Sequence, residues 1–332
     1  MLTTTTRAAA AAAAATLVLA LSACGSGGDA PAAGGGAGGD DDAIVMGFAQ
    51  VGAESGWRTA NTASIQEAAE EAGVELQFSD AQQRQENQIQ AIRSYIQQQV
   101  DVNAFSPVVE TGWDTVLQEA KRAQIPVILT DRAIDSPDDT LYETFLGSDF
   151  VLEGEKAGEW LVENTAGEDQ VNVVELQGTT GAAPAIDRKE GFETAIADAG
   201  NIEIIASQTG DFTRSGGREV MEAFLQSEPD IDVVYSHNDD MGLGAIEAIE
   251  AAGKVPGEDI RIITVDAVKD GMTALSEGKI NFIVECNPLL GDQLMELAEQ
   301  VVAGEELEKR VLVEESTFTQ EQAAEVLADR QY

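Results

Sequence analysis

Strand-like and helix-like segments alternate along almost the whole chain, and this alternation restricts the fold more than any other feature. Ala43–Ala49 is a short apolar run bounded by charge and turn signals, and Thr59–Ala72 has apolar or small residues at helical spacing before a capping glycine, Gly73. Strands separated by helices of about 10–15 residues predict parallel sheets with crossover helices on both faces. The alternation restarts at Phe150, so we predict two doubly wound α/β lobes.

The remaining segments repeat this order in two runs. The first run has predicted strands at 74–78, 102–105 and 125–129 and helices at 85–99 and 113–123. The second has helices at 150–164, 189–199, 218–226 and 241–252 and strands at 171–176, 203–208, 233–236, 260–265 and 280–284. The body from Ala43 to Tyr332 has about 290 residues, which favours two lobes over one core.

The N-terminus has the features of an export signal. Arg7 precedes a largely apolar run that ends at Leu21-Ser-Ala-Cys24, and the run is too short for a confident membrane span. Leu-Ser-Ala-Cys resembles the lipobox of bacterial lipoproteins, which predicts lipidation of Cys24; an ordinary cleaved signal is the alternative. Residues 25–42 are rich in Gly, Ala and Asp, which predicts a flexible tether.

Charge and cysteine content limit the partners. The chain has 60 acidic and 19 basic residues and a formal net charge of −41, so it repels phosphate backbones and nucleic-acid binding is excluded. With Cys24 modified, Cys286 has no partner for a disulfide. We expect Cys286 to be a small buried apolar residue, with a reactive thiol as the alternative.

Polar or aromatic residues follow nearly every predicted strand. In doubly wound sheets, ligands bind at the carboxyl ends of the strands, so these residues are candidates for a shared cleft. Carboxylates and arginines bind paired hydroxyls, and an aromatic ring can cover the apolar face of a sugar, which together favour a neutral polyol. The candidate ligand-binding residues are Glu54, Ser55, Gly56, Trp57, Arg58, Ser106, Asp131, Arg132, Arg188, Phe212, Asn238, Asp266 and Glu285.

Several of these residues have a purely structural alternative. Trp57, which we place at a loop tip, could be a core residue, and Asp131 and Arg132 could pair only with each other. Asn238 and Asp266 could each cap a helix. The adjacent acids Asp239-Asp240 are interpreted as helix N-terminal residues rather than a calcium site, and neither a metal nor a cofactor is expected.

The residues at the predicted strand ends resemble those of a known protein family. The chain resembles the periplasmic sugar-binding proteins of the ribose-binding type, which feed ATP-driven (ABC) importers, and within that group it most resembles the galactofuranose-binding members. The stretches that carry the resemblance are Gly47–Arg58, Gln85–Ile89, Pro107–Trp113, Ala185–Lys189, Gly210–Arg214 and His237–Met241.

The resemblance implies the type I periplasmic binding protein fold, an α/β fold with two lobes joined by a three-segment hinge. It implies crossovers near Ser148, near Cys286 and at 313–317. The expected lobes are 43–147 with 286–314 and 148–285 with 315–332. It also implies that residues 54–58, Asp131, Arg132, Arg188, Asn238 and Asp266 contact the sugar.

This sequence departs from the ribose-type pattern at four places. Ser106 stands where those proteins use asparagine, and Glu285 where they use glutamine. Trp57-Arg58 replaces a pair of stacking aromatics, which implies a sugar other than ribose. Asp266-Ala267 stands where Asp-Gly is usual, which can shift the local turn.

The implied function is capture of a monosaccharide, galactofuranose being the best single candidate, by an extracytoplasmic, lipid-anchored monomer. Hinge closure around the sugar would present it to the permease subunits of the importer. A sensor for chemotaxis or signalling is the alternative output of the same fold. A glycosidase with paired carboxylates is disfavoured because the sequence has no nucleophile elbow, zinc-protease or P-loop motif, and a repressor because no helix-turn-helix precedes the lobes.

Overall fold

Two six-stranded sheets organise the computed structural model, which describes residues 43–332. The predicted signal, Cys24 and the tether lie outside the described residues. The strands are β1 Val45–Gln50, β2 Glu75–Asp80, β3 Val102–Phe105, β4 Val127–Thr130, β5 Thr144–Gly147, β6 Val171–Gln177, β7 Ile202–Thr209, β8 Val233–Ser236, β9 Arg261–Asp266, β10 Phe282–Glu285, β11 Arg310–Leu312 and β12 Thr317–Phe318.

Helices connect these strands and cover both faces of each sheet. The α-helices are α1 Gly56–Ala72, α2 Gln85–Gln98, α3 Asp114–Arg122, α4 Phe150–Asn164, α5 Ala183–Ile196, α6 Arg214–Ser227, α7 Asp239–Ala251, α8 Lys269–Ser276, α9 Gly291–Val302 and α10 Gln320–Val326. Among residues 43–332, no helix is long and apolar enough to cross a membrane.

The strand order is that of a doubly wound sheet in each half. The first sheet has the order β11-β5-β4-β3-β1-β2 and the second β12-β10-β9-β8-β6-β7. Neighbouring strands run parallel, and only the short β12 pairs antiparallel, with β10. The predicted fold class is therefore confirmed.

The core of each half lies on both faces of its sheet. Met46 and Phe48 of β1 belong to a cluster with α1 and α9, whereas Ala49 belongs to a cluster with α2 and α3. This division follows from the alternation of side chains along a strand. A fully buried strand needs apolar residues on both faces, which is why β1 reads as a continuous apolar run.

The chain passes between the two sheets three times within the described range. The first crossover lies between β5 and α4 at Ser148, the second after β10 at residues 286–290, and the third between β11 and β12 at residues 313–316. The carboxyl ends of β1, β3 and β4 thus lie in one half and those of β6, β8 and β9 in the other.

Candidate functional site

A cavity lies between the carboxyl ends of the two sheets. The space free of protein atoms between its side chains is about 290 Å³, part of it open to solvent, which is on the scale of one small molecule. Residues of both halves line it: Glu54, Ser55, Trp57, Arg58, Asp131, Arg132, Pro184, Arg188, Phe212, Asn238, Asp266 and Cys286. The structure thus brings together ten of the thirteen residues that the strand-end pattern selected.

The first turn of α1 delivers two of these side chains. Ser55 is the N-cap of α1, and its Oγ accepts a hydrogen bond from the backbone N–H of Arg58 at 3.1 Å. Trp57 was expected at a loop tip, but the cap starts the helix at Gly56, so Trp57 belongs to the helix. Its indole N–H donates to the carbonyl of Cys286 at 2.7 Å, which ties α1 to the second crossover.

Arg58 is the charged centre of the first half. Its Nη2 lies 2.6 Å from Asp131 Oδ2, and its Nε lies 3.1 Å from Glu54 Oε1. Burial alone would lower the pKa of Arg58, but the charges of Asp131 and Glu54 outweigh burial and raise it. Arg58 therefore stays charged and holds both carboxylates in place.

Arg132 is less completely paired than Arg58. Its closest carboxylate oxygens are Glu54 Oε1 at 3.5 Å and Asp131 Oδ2 at 3.6 Å. Burial, followed by the positive charge of Arg58, lowers the pKa of Arg132 to about 10. Its guanidinium lies 5.3 Å from the centre of the Phe212 ring, which belongs to the other half. The alternative in which Asp131 and Arg132 pair only with each other is wrong, because the short contact of Asp131 is with Arg58.

Arg188 is the counterpart in the second half. It was expected in the loop after a strand, but α5 begins at Ala183, with Pro184 in its first turn, so Arg188 projects from a helix. Its Nε donates to Glu153 Oε2 at 2.6 Å, and its Nη2 lies 3.9 Å from Asp266 Oδ1. Burial is the largest single effect and lowers the pKa of Arg188, but the charge and the hydrogen bond of Glu153 oppose it, and the pKa is raised.

Asn238 and Asp266 differ in their local roles. Asn238 is the N-cap of α7, and its Oδ1 accepts from Met241 N at 3.0 Å while its Nδ2 donates to the carbonyl of Phe212 at 3.1 Å. The helix-cap alternative for Asp266 is wrong, since Val268 occupies the N-cap of α8. Burial raises the pKa of Asp266 well above its ordinary value.

Unusual backbone conformations cluster at the cavity. Asp131, Phe212 and Asp266 have φ angles of 63°, 60° and 124°, and Ala267, where the ribose-type proteins have glycine, has 67°. Residues other than glycine rarely adopt a positive φ angle, and those that do concentrate at functional sites.

Three buried polar atoms of cavity-lining residues have no hydrogen-bond partner among the described residues. They are Glu54 Oε2, Arg132 Nε and Asp266 Oδ2. A buried polar atom left unpaired costs free energy, so native proteins usually satisfy such atoms. The set contains two carboxyl oxygens and one guanidinium N–H, and the hydroxyls of a polyol can pair with all three because a hydroxyl both donates and accepts.

Three predicted residues do not line the cavity. Ser106 lies behind it, where its Oγ donates to the carbonyl of Thr130 at 2.8 Å and contacts Asp131. The backbone N–H of Gly56 donates across the cleft to Asp240 Oδ2 at 2.7 Å. The carboxylate of Glu285 pairs with Arg330 at 2.7 Å, so this arrangement does not favour its predicted role in binding.

Two lining residues were missed, namely Pro184 and Cys286. Pro184 follows β6 and directly precedes the stretch Ala185–Lys189 named above, so its position carried a signal. Cys286 is buried as expected, 1 % exposed, but it also faces the cavity, and a lone cysteine gives no sequence signal for that.

The single histidine of the sequence is packed in the protein interior. His237 is fully buried, and its Nε2 lies 3.0 Å from Glu175 Oε1. Burial lowers the pKa of His237, and Tyr235 packs against its ring. His237 is not among the residues that line the cavity, and its backbone carbonyl accepts a hydrogen bond from Arg188, which does line it.

Comparison with known proteins places this geometry in a family. The family described as periplasmic binding protein domain matches residues 46–306. The galactofuranose-binding protein YtfQ of Escherichia coli is 48% identical over 278 residues, which cover 83% of this chain and 87% of that protein.

Solved structures agree with the sequence relatives. A Mycobacterium smegmatis protein in complex with beta-D-fucofuranose has 64% identity and a TM-score of 0.86, covering 87% of this chain and 96% of that one. The binding protein of the arabinose ABC transporter from Shewanella sp. ANA-3, bound to alpha- and beta-L-arabinofuranose, has 46% identity and a TM-score of 0.84, with coverage of 87% and 96%. The chain therefore belongs to the periplasmic binding protein family.

Proposed function

We propose that this chain binds one monosaccharide in its furanose form in the cavity between its two halves and delivers it to an ABC importer. The observation that carries this proposal is the set of three unpaired buried atoms, Glu54 Oε2, Arg132 Nε and Asp266 Oδ2, on the cavity wall. Sugar hydroxyls can donate to the two carboxylate oxygens and accept from the guanidinium.

The charge balance favours a neutral ligand. Arg58 and Arg132 lie beside the carboxylates of Asp131 and Glu54, and Arg188 pairs with Glu153. An anionic ligand such as a sugar phosphate would add charge to a site whose carboxylates already neutralise its arginines. A neutral polyol uses the same groups through hydrogen bonds to charged partners, which are about twice as strong as neutral ones.

The relatives suggest the ring form. The three compared proteins are described as binding galactofuranose, beta-D-fucofuranose and L-arabinofuranose. These sugars share a five-membered ring and differ in the group attached outside it. We therefore take the ring and its hydroxyls as the recognised part, with galactofuranose as the best single candidate.

Closure of the two halves is the proposed mechanism. We take the lobes as 43–147 with 286–314 and 148–285 with 315–332, which is consistent with the sheet membership of the strands. Contacts across the cleft include Gly56 N to Asp240 Oδ2 at 2.7 Å and Glu110 N to Gly181 O at 2.9 Å. A sugar that contacts both halves favours the closed form by its differential contacts, and the permease would recognise that form.

The protein would act outside the cytoplasm as a binding protein and not as an enzyme. The carboxylates of the cavity hold arginines, and His237 is paired with Glu175, which fits binding without bond cleavage. The export signal, the lipid on Cys24, the tether at 25–42 and the monomeric state remain part of the proposal.

A thermal-shift screen tests the proposal. We expect D-galactose, D-fucose and L-arabinose, whose solutions contain furanose forms, to raise the melting temperature, because a ligand that binds only the folded protein stabilises it. D-Ribose and D-mannose serve as controls with a different arrangement of hydroxyls. The ¹³C spectrum of bound labelled D-galactose then reports the ring form, and the sugar should be recovered unchanged.

Two results would count against the proposal. If none of the three sugars shifts the melting temperature, the proposal of monosaccharide binding is contradicted. Pyranose signals from the bound sugar would leave the binding function but exclude the furanose assignment.

A further inference from the structure

One carboxyl group joins all three crossovers. Glu315 lies in the third crossover, and its Oε1 accepts hydrogen bonds from Ser148 Oγ in the first at 2.5 Å and from Asn287 N in the second at 3.0 Å. These are the segments that must change when the cleft opens or closes. The second carboxyl oxygen of Glu315 takes part in neither bond.

A fully buried carboxyl group, that of Glu153, lies beside the half-buried Glu315. Glu153, in the first turn of α4, is 1 % exposed, and its Oε2 accepts from Arg188 Nε at 2.6 Å. Its Oε1 is buried and has no hydrogen-bond partner among the described residues. Glu153, Glu315 and Cys286 each offer an atom, all within 4.8 Å of one another. Glu153 therefore stands between a cavity-lining arginine and the hinge.

A proton on Glu315 removes the repulsion between the two neighbouring carboxyl groups. Two ionised carboxylates at this distance repel each other, and one of them then keeps a proton. Burial raises the pKa of both carboxyl groups, but Arg188 Nε at 2.6 Å favours the ionised form of Glu153, so Glu315 is the group that holds the proton. Its O–H can then donate to Glu153 Oε1, which supplies the missing partner.

The other groups that face the pair do not replace this proton. Lys156 Nζ donates to the backbone carbonyl of Glu315 at 3.2 Å, and Asp266 Oδ1 lies 3.9 Å from Arg188 Nη2. The Sγ of Cys286 lies 3.4 Å from Ser148 Oγ, and burial raises the pKa of this thiol well above its ordinary value. Burial, followed by the charge of Glu153, raises the pKa of Glu315 to about 9.

We propose that Glu153 and Glu315 share a proton in the closed protein and couple Arg188 to the three crossovers, so that sugar binding takes up a proton. This inference rests on the proposed function. Glu153 is a positioning residue, since it acts on the sugar only through Arg188. Opening the cleft moves the crossovers, exposes Glu315 to water and lets the proton leave.

The direction of the pH effect follows from linkage. A carboxyl group whose pKa is raised in the closed state binds a proton more tightly there, so rising pH disfavours closure. The affinity for sugar should fall as the pH rises from neutrality towards the pKa of Glu315, by at most about tenfold per pH unit for one proton. The folded protein also keeps a proton that the unfolded chain releases above its ordinary carboxyl pKa, so stability falls over the same range.

Calorimetry with D-galactose tests the proposal on the wild type, Glu315→Gln and Glu314→Gln. Glutamine is a neutral mimic of the protonated acid, and Glu314 is an exposed neighbour that serves as the matched control. In buffers of different ionisation enthalpy, the wild type and Glu314→Gln should take up a fraction of a proton on binding and lose affinity at alkaline pH. Glu315→Gln should bind D-galactose near neutrality within a few-fold of the wild type, with no proton uptake and a flat pH profile. Glu153→Gln should bind more weakly at every pH.

Three outcomes would overturn the shared proton. They are equal proton uptake by the wild type and Glu315→Gln, a flat affinity profile for the wild type, and zinc chloride raising the melting temperature of the wild type but not of Glu315→Gln. The last result would mean that a metal ion occupies the place of the proton.

Failure of the proposed function is distinguishable from failure of this inference. Absence of any heat with D-galactose at all pH values would count against the proposed function. The pair is then tested without sugar, from the melting temperature as a function of pH. Because Glu315→Gln has no shared proton, its melting temperature should fall less at alkaline pH than that of Glu314→Gln. Identical profiles of melting temperature against pH would refute the shared proton.

Discussion

The charged side chains of the candidate site form ion pairs with one another. Arg58 is 2 % exposed and makes short contacts with two carboxylates, whereas Arg132 is 3 % exposed and has only long ones. A hydrogen bond to a charged group contributes most where its partner is otherwise unsatisfied. Arg132 is therefore the residue of the first half whose loss should affect ligand binding most directly.

We expect Arg132→Ala to weaken sugar binding. Loss of hydrogen bonds to a charged group costs about 1.5–3 kcal/mol, which corresponds to roughly 10- to 100-fold in the dissociation constant. Titration calorimetry with D-galactose measures the change. Arg93→Ala is the control, because Arg93 pairs with Glu119 on the surface, outside the cavity. Equal affinities of the two variants would contradict the assigned site.

Residue types at strand ends predicted most of the cavity but not its detailed pairing. Arg58, Asp131 and Arg188 were found because the carboxyl ends of parallel strands converge whatever the loop conformation. The partner of Arg188, Glu153, was missed because it lies inside an amphipathic helix, where acids are usually solvated. Cys286 was seen as a buried residue, yet its contact with the cavity depends on the path of a crossover that no local pattern reveals.

The two helices that position Arg188 pack unusually closely. A Cβ atom added at Gly154 of α4 would lie 2.2 Å from the backbone carbonyl of Arg188 on α5, and one at Gly191 would lie 2.0 Å from that of Val151. Glycine at both positions allows the helix backbones to approach. The distance between Glu153 and Arg188 therefore depends on this close contact between helices.

We expect Gly154→Ala to separate α4 from α5. The extra methyl group meets backbone atoms that cannot move independently, and overpacking of this kind costs about 1–3 kcal/mol of stability. Sugar affinity should fall as well, because Arg188 moves with α5. Urea unfolding and calorimetry measure the two effects.

Gly200→Ala is the matched control, since nothing lies within 4 Å of a Cβ added there. Identical stability and affinity for the two variants would show that the close approach of α4 and α5 is unimportant.

Element existence was easier to predict than element bounds. The helix Phe150–Asn164 was predicted with its observed limits, because Asp149 caps it and its apolar face is regular. Strand β5 was missed because Thr144–Gly147 follows a polar loop and has only two large apolar residues, Phe145 and Leu146. Helix α5 was predicted to begin at Lys189 rather than Ala183, because its first turns are rich in small residues that give no helical periodicity.

At the scale of the whole molecule, charge is the dominant property. A formal net charge of −41 means that like charges repel across the surface at neutral pH. The buried ion pairs of the cavity are shielded from solvent and respond little to salt. Salt should therefore act on the global stability of the fold more than on the geometry of the site.

We expect sodium chloride to raise the melting temperature at neutral pH. Raising the ionic strength from 0.01 M to 1 M shortens the Debye length from about 30 Å to about 3 Å and weakens the repulsion. Near the isoelectric point of about 4.1, the same salt should have little effect, because the net charge is small. Differential scanning fluorimetry at both pH values measures this difference. An equal salt effect at both would point to a mechanism other than charge screening.

The strands that complete both sheets come from the end of the chain. β11 (Arg310–Leu312) is an edge strand of the first sheet, and β12 (Thr317–Phe318) is an edge strand of the second. A ribosome releasing this polypeptide from its N-terminus must synthesise nearly all of it before either sheet can acquire its last strand. Both sheets therefore stay incomplete until residues 310–318 have left the ribosome, so neither half can finish folding on its N-terminal segments alone.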